Sequence, residues 1–272
     1  MGRAIAPDEF VEALFPALRQ AAAIARALEG RVANEPKRGE SRAAKAALTI
    51  ADTAAQEAIL VPLYERFPEV CIEAEEETAT ARRFPAEGPA RVVVDPIDGT
   101  LHSYLAGRGL YAVMVGLAVA GRYEAALLAL PREGFFFEAV RGRGARRARA
   151  HETLRPVQAR RGGSLVLISH ELPEPVRGRL AARGYEPVSA SGGAIAVAPL
   201  IPGAAGGVRM AAGTPSISVR GRIGAFIARE AGARLCSEDG REFPDDLETP
   251  ARALLVAAEE ADRKELLGAL AG

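Results

Sequence analysis

The chain has 272 residues, of which 49% are hydrophobic and 26% charged, proportions that are ordinary for a globular enzyme with a sizeable core. Because 35 basic residues balance 35 acidic ones, no overall field attracts nucleic acid or an anionic membrane. The sequence shows no charged-then-apolar leader and no apolar run long enough to span a bilayer. We therefore expect a cytoplasmic protein without nucleic-acid or membrane partners.

The N-terminal part of the chain predicts two helices separated by a loop. Apolar residues recur at helical spacing over residues 8–29, and the polar stretch 31–45 is typical of a loop. A second helix is predicted to begin near Thr53, whose side chain can form a capping box with Gln56. It is expected to end at about Phe67.

Strands dominate the chain from residue 70 to about residue 150. They are predicted over 70–74, 91–95, 111–120, 123–130 and 134–140. The arginine-rich stretch 141–147 is interpreted as solvated loop or strand-edge charge, because no aromatic residues that could stack on bases are interleaved.

Strands and helices alternate irregularly after residue 150. The glycine- and alanine-rich stretch 203–213 fits either a close-packed strand or a loop. The irregular order favours a layered α+β fold over a doubly wound parallel sheet, with two halves at 1–150 and 151–272. Further strands are predicted over 164–169 and 254–258, and helices over 173–183, 191–200, 222–232 and 262–270.

The hexapeptide Asp-Pro-Ile-Asp-Gly-Thr at 95–100 is the most informative motif of the sequence. It follows the apolar run 92–94, so that it predicts a buried strand whose carboxyl end opens into a turn. Pro96 fixes its φ angle and Gly99 permits a tight bend, which holds both carboxylates in one place. A polar turn without function is the alternative interpretation of such a segment.

A pair of acids, Glu75 and Glu76, follows another short apolar segment upstream of the hexapeptide. Several carboxylates brought to adjacent strand ends repel one another unless a hard divalent cation lies among them. Ligand sets made only of oxygen suit Mg²⁺. The acid pair therefore favours a magnesium site over a plain polar turn.

Together these motifs resemble the inositol monophosphatase family, part of a Mg²⁺-dependent, lithium-sensitive phosphatase superfamily that includes fructose-1,6-bisphosphatases. The matching blocks are Thr-x-x-Asp at 49–52, the acid pair at 75–76 and the hexapeptide at 95–100. Weaker similarities lie at 141–145, 229–233 and 253–257. The resemblance implies a layered α-β-α-β-α sandwich and a homodimer, with an N-terminal half that binds metal and phosphate and a C-terminal half that recognises the substrate.

The resemblance also implies which residues bind metal. Glu75, Asp95 and the backbone carbonyl of Ile97 would ligate a first, catalytic Mg²⁺. Asp95 and Asp98 would share a second Mg²⁺, completed by a carboxylate from the C-terminal half.

Three further positions receive roles from the same resemblance. Thr100 and Asp52 would form a hydrogen-bonded pair that, with Glu75, orients the metal-activated water that attacks phosphorus. The backbone N–H groups of Gly99 and Thr100 would bind the substrate phosphate at the start of a short helix.

Two positions depart from the family pattern. His102 and Ser103 stand where the family usually has Asn-Phe or Glu-Phe after the hexapeptide. Arg220 stands where a Trp-Asp block should supply the remaining carboxylate of the second metal, and residues 201–228 contain no acid that could replace it.

Two functional hypotheses follow. The first is a Mg²⁺-dependent phosphomonoesterase that hydrolyses a small polyol or sugar phosphate, similar to inositol 1-phosphate. The second is a catalytically weak or inactive relative with a binding or regulatory role, which rests on Arg220. We favour the enzyme, because clustered carboxylates destabilise a fold that binds no cation. Nucleotide and bisphosphate substrates stay open, since the divergent half contacts the leaving group.

Overall fold

Two β-sheets alternate with three helical layers in the computed structural model, which describes residues 5–37, 48–211 and 213–271. The helices are α1 (Pro7–Leu28), α2 (Ile50–Arg66), α3 (Glu174–Ala182), α4 (Gly192–Ala196), α5 (Ile223–Glu230) and α6 (Glu260–Ala271). The first sheet contains β1 (Cys71–Ala74), β2 (Arg91–Asp98), β3 (Ala112–Val119), β4 (Arg122–Leu130), β5 (Phe135–Val140), β6 (Gly144–Arg149) and β7 (Arg155–Val157). The second contains β8 (Leu165–Ile168), β9 (Glu186–Ser189), β10 (Ala204–Met210), β11 (Arg234–Cys236) and β12 (Ala253–Ala257).

The first sheet is an antiparallel meander from β2 to β7, with β1 added parallel to β2. Its central strands are apolar on both faces because helices cover the sheet on both sides. Val92 and Val94 of β2 face α1 and α2, whereas Val93 faces the middle helical layer. The alternation of strand side chains therefore supplies two separate cores from one strand.

The middle helical layer consists of α4 and α5, which lie between the two sheets. Phe226 of α5 and Ile195 of α4 pack into the same core as Met114 of the first sheet and Leu167 of the second. Helices α3 and α6 cover the outer face of the second sheet. This order of layers confirms the predicted α-β-α-β-α sandwich.

The second sheet has parallel strands β8, β9 and β10, followed by β12 antiparallel to β10. The glycine- and alanine-rich stretch forms strand β10. A Cβ at Gly207 would lie 2.5 Å from the carbonyl oxygen of Ile195, so only glycine lets α4 pack this closely on the strand.

The beginning of α2 corrects the sequence prediction. Thr49 is the N-cap, and Asp52 completes the capping box, so the helix begins at Ile50 and not near Thr53. Gln56 is fully buried and binds the backbone of Glu76 through both ends of its amide. The side chain expected to cap the helix therefore fixes the acid pair instead.

Other sequence predictions differ in extent. The helix expected over 191–200 is short α4 followed by a 3₁₀ turn at Ala198–Leu200. Strands β6, β7, β9 and β11 were not predicted. Residues 38–45 of the predicted loop lie outside the described residues.

The change of sheet falls between β7 and β8, close to the predicted division at residue 150. Helix α5, from the second half, nevertheless packs on β4 and β5 of the first sheet. The two halves thus share the central core, and their separation into functional halves stays a prediction. Among the described residues, no helix has the length and apolar character needed to cross a membrane.

Candidate active site

A cavity of about 290 Å³ lies where strands of both sheets end. Glu75, Asp95 and Asp98 reach it from the carboxyl ends of β1 and β2. The carboxyl ends of β8, β9 and β10 reach it from the second sheet, and the segment before α5 contributes Arg220. A larger cavity of about 530 Å³ elsewhere contains none of the predicted site residues, so size alone does not identify the site.

The hexapeptide bends the end of β2 into this cavity. The register of β2 against β3 shifts between Asp95 and Asp98, an irregularity that redirects the side chains that follow. Gly99 has φ +94°, in the left-handed region that favours glycine. A Cβ there would also lie 2.8 Å from Cβ of Ser191, so the turn needs glycine for two reasons. A wide helical turn, Thr100–Tyr104, follows.

Asp52 and Thr100 form the hydrogen-bonded pair that the resemblance implies. Thr100 Oγ1 lies 3.0 Å from Asp52 Oδ1 and 2.8 Å from the carbonyl oxygen of Ile97, and its single proton can serve one acceptor at a time. The other oxygen of Asp52 accepts hydrogen bonds from the backbone and hydroxyl of Thr49. Burial raises the pKa of Asp52, while the hydrogen bonds from Thr49 and Thr100 lower it in part.

Asp95 is buried, and its Oδ1 atom has no hydrogen-bond partner among the described residues. Burial raises the pKa of Asp95 well above its usual range, and the charges of Glu75 and Asp98 raise it further. Glu75 is close enough for a hydrogen bond with Asp95. An orphaned carboxylate oxygen beside a second carboxylate indicates that a proton or a cation belongs between them.

Arg220 lies within this acidic cluster. Its Nη1 atom is 3.6 Å from Glu75 Oε2. Burial alone would lower the pKa of Arg220, but the charges of Asp95 and Glu75 outweigh burial and raise it. The guanidinium is therefore a permanent cation beside the predicted metal ligands.

The fit of a metal ion to these residues differs between the two predicted positions. Glu75, Asp95 and the Ile97 carbonyl provide oxygen ligands of the kind that suits one hard cation, and the orphaned Oδ1 of Asp95 supports this position. Asp98 Oδ2 instead accepts the N–H of Gly193 at 2.5 Å. Within the described part of the chain, no three His, Cys, Asp or Glu side chains form a group that could hold a metal. Both metal positions stay predictions, and the residues fit the first better than the second.

Several site residues escaped the sequence analysis. Lys37 Nζ lies 2.6 Å from Glu76 Oε1 and 3.6 Å from Glu75 Oε1. Arg209, at the end of β10, lines the cavity; it is the single charged residue of the stretch 203–213, a signal that could have identified it.

Two histidines far apart in sequence also meet at the cavity. The rings of His102 and His170 stack with centroids 4.9 Å apart, and Ser103 Oγ lies 3.3 Å from His170 Nε2. His170 follows β8 of the second sheet, whereas the acids follow β1 and β2 of the first, so no local pattern could have placed it beside them.

The chain is similar to known proteins in sequence and in fold. Over residues 6–271 it matches the inositol monophosphatase family. A histidinol-phosphatase from Chlorobaculum parvum is 35% identical over 98 residues, and the Nus factor SuhB of Pasteurella multocida is 31% identical over 99 residues. The structure of an inositol monophosphatase from Thermotoga maritima has a TM-score of 0.75 at 18% identity, covering 97% of this chain and 96% of that one.

The two sequence relatives are matched over a limited part of their length. Each alignment covers 36% of this chain and 36% of the relative. The family match, in contrast, extends over nearly the whole chain and confirms the resemblance seen in the motifs. Members of that family are metal-dependent phosphoric monoester hydrolases, the enzyme class that the sequence predicts.

Proposed function

Because the chain belongs to the inositol monophosphatase family, we propose that it hydrolyses the phosphate monoester of a small polyol or sugar, with Mg²⁺ as its cofactor. The observation that carries this proposal is the juxtaposition of the Thr100–Asp52 hydrogen bond with Glu75 and the orphaned oxygen of Asp95. A folded protein has little reason to keep an unpartnered, buried carboxylate oxygen without a ligand for it.

In the proposed reaction a water oxygen forms a bond to phosphorus while the ester P–O bond breaks. Asp52 accepts the hydroxyl proton of Thr100 in a hydrogen bond, which leaves a lone pair of Thr100 Oγ1 to accept a hydrogen bond from the water. Glu75 accepts the other hydrogen and can take the proton as the bond to phosphorus forms. The leaving alkoxide takes up a proton, so that the products are an alcohol and inorganic phosphate.

The proposed cation would be held by Glu75, Asp95 and the carbonyl oxygen of Ile97. When bound, Mg²⁺ supplies positive charge to the phosphoryl oxygens and lowers the pKa of water. The N–H groups of Gly99 and Thr100 would bind the phosphate, because the first turn of a helix presents backbone donors.

Arg220 supports the second hypothesis, a catalytically weak or inactive relative with a binding role. Its charge disfavours a second divalent cation nearby and neutralises part of the acidic cluster. It can instead hold a phosphate oxygen, partly substituting for that cation. We therefore propose slow hydrolysis with fewer metal ions than the two-metal site that the resemblance implies.

The names of the relatives do not select a substrate. One relative is a histidinol-phosphatase, but its match covers 36% of either protein. The amine of histidinol phosphate is protonated at neutral pH, and such a group would meet Arg209 and Arg220 in the cavity. These arginines favour a leaving group without positive charge.

The test is release of inorganic phosphate from a panel of sugar, inositol and nucleotide phosphates, with and without Mg²⁺. Release that requires Mg²⁺ and is lost in Asp95→Asn would support the enzyme. If no ester is hydrolysed although calorimetry detects binding of one of them, the enzyme hypothesis is wrong and the binding role takes its place.

We also propose that the protein is a cytoplasmic homodimer that acts on a small molecule and has no nucleic-acid or membrane partner. The balance of basic and acidic residues supports the last point. Sedimentation equilibrium of the purified protein tests the dimer, and a monomer at micromolar concentration would contradict it.

A further inference from the structure

Arg209 lines the cavity and has no ion-pair partner among the residues that the structure describes. Its Nη1 atom donates one hydrogen bond, to the carbonyl oxygen of Gly221 at 2.9 Å. Across the residues that the structure describes, no carboxylate lies within ion-pair distance of Arg209, in contrast to Arg220, which faces Glu75. A guanidinium has five N–H donors, so most of the donors of Arg209 lack an acceptor among the described residues.

Two glycines make room for this guanidinium. A Cβ at Gly221 would lie 2.6 Å from both terminal nitrogens of Arg209, and one at Gly192 would overlap its Cζ atom. The next residue, Gly193, donates its N–H to Asp98. Arg209 is therefore held against the segment that also contacts the acidic part of the site, within reach of a molecule bound there.

Serine hydroxyls add further donors to the same part of the cavity. Ser169, Ser191 and Ser218 each accept a hydrogen bond from a backbone N–H, at 2.9, 3.5 and 3.3 Å. None of these hydroxyls donates to another described residue, so each has a proton to offer. Unsatisfied donors around an unpaired guanidinium are complementary to an anion.

We infer that the substrate carries a second anionic group, a carboxylate or another phosphate, and that Arg209 and the neighbouring serines bind it. The inference rests on the proposed function, since the ester phosphate is assigned to the acidic side of the cavity. Arginine matches both groups because its planar fork forms two parallel hydrogen bonds with either. A sugar or polyol phosphate without a second anionic group would leave this guanidinium without an anionic partner.

Matched ligands test the inference by calorimetry. Glycerol 3-phosphate and 3-phosphoglycerate differ by a carboxylate, and fructose 6-phosphate and fructose 1,6-bisphosphate differ by a phosphate. Thr100→Ala serves as the background, so that slow turnover does not consume the ligand. We expect the ligand with the second anion to bind about 10- to 100-fold more tightly, as a charge-assisted hydrogen bond would provide. The pair with the larger ratio identifies the carboxylate or the phosphate as the preferred group.

Three further variants assign the preference to Arg209. Arg209→Gln should reduce the ratio of affinities to within about twofold. Gly192→Ala keeps the charge but displaces the guanidinium, and should reduce the ratio in part. Arg234→Gln removes an exposed arginine from edge strand β11 of the same sheet, and should leave the ratio unchanged.

Two outcomes would overturn the inference: equal affinities within both ligand pairs, or an Arg209→Gln variant that weakens all four ligands equally. The second result would mean that Arg209 binds the ester phosphate. Because these are binding measurements, they separate the inference from catalysis. If the protein still prefers the ligand with the second anion but releases no phosphate from any ester, the proposed function is contradicted and the inference about Arg209 is not.

Discussion

The two sheets meet at one cavity but present opposite chemistry there. The strand ends of the first sheet supply carboxylates, Glu75, Asp95 and Asp98. The second half of the chain supplies mainly arginines, serines and a histidine, with Glu171 as its one acid among the described lining residues. The acidic side carries the blocks on which the family resemblance rests, apart from His102 and Ser103, and Arg220 on the basic side is the predicted departure from it. This difference indicates that the residues that bind metal and phosphate and the residues that contact the leaving group can change separately within one layered fold.

Arg220 connects these two sides, because it comes from the second half and faces Glu75 of the first. The charge of the acidic side therefore depends on the basic side. Substitutions on one side of the cavity should therefore change metal binding, ligand binding or rate at the other.

The largest effect is expected for Asp95→Asn. We expect phosphate release to fall by about 10³-fold or more and Mg²⁺ affinity to fall with it, because a principal negative ligand is lost. Without divalent cations, the variant should have a higher free energy of unfolding, since burial and the charges of Glu75 and Asp98 disfavour the ionised Asp95 carboxylate. Glu73→Gln, on the same edge of the sheet, is the matched control. Unchanged Mg²⁺ affinity in calorimetry would remove Asp95 from the metal site.

Arg220→Asp is expected to act in the opposite direction. It restores the carboxylate that the resemblance implies, so both the number of Mg²⁺ ions bound and the rate should rise, the rate by about 10²-fold. Metal content by anomalous scattering with Mn²⁺ and steady-state kinetics test this together. If the unaltered protein already holds a full multi-metal site, another residue completes it and the assignment of Arg220 is wrong.

Thr100→Ala is expected to have a smaller effect, on the rate alone. Turnover should slow by about 10- to 100-fold while Mg²⁺ affinity stays nearly constant, because the hydroxyl positions water and carries no charge. Thr100→Ser keeps the hydroxyl bonded to Asp52 and should recover most of the rate. Loss of Mg²⁺ binding in the alanine variant would indicate a structural role instead.

The smallest predicted effect concerns His170 and pH. Burial lowers the pKa of His170, and the charges of His102, Arg177 and Arg108 act in the same direction. The unfolded chain therefore takes up a proton near pH 6.5 that the folded chain resists, so stability is lost as pH falls below that value. Chemical denaturation at pH 7.5 and 5.5 should show a loss that His170→Asn reduces by roughly a few tenths of a kcal/mol. His151→Asn, an exposed position, should not reduce it.

The sequence alone predicts those parts of the candidate site that lie within short, contiguous motifs. The hexapeptide predicted a buried strand that opens into a turn, although β2 continues to Asp98 and not only to residue 95. The structure brings together Asp52, Thr100, Glu75 and Asp95 as the motifs imply. These residues come from three short blocks, and the order and separation of the blocks can be read directly from the sequence. Their catalytic and metal-binding roles stay predictions.

Other features depend on packing that no local pattern records. Thr49 and Thr53 both begin a capping-box pattern, and Thr49 caps the helix, while Gln56 is used to bind Glu76. The charged edge strands lack the apolar alternation that predicts a strand. The pairing of His102 with His170 requires the topology of both sheets.

Arg132 lies behind the site, in the turn between β4 and β5. It pairs with Glu29 just after helix α1, and it donates to the carbonyl oxygens of Gly109 and Ser103 in the segment that follows the hexapeptide. Hydrogen bonds from Arg132, which lies outside the cavity, thus connect this segment to the first sheet and to the end of helix α1. Opening it locally requires Arg132 to release these contacts, so amide hydrogen exchange in residues 103–105 should be slow and should quicken in Glu29→Gln. The order of this part of the cavity wall would then depend on Arg132, which is not among the described residues that line the cavity.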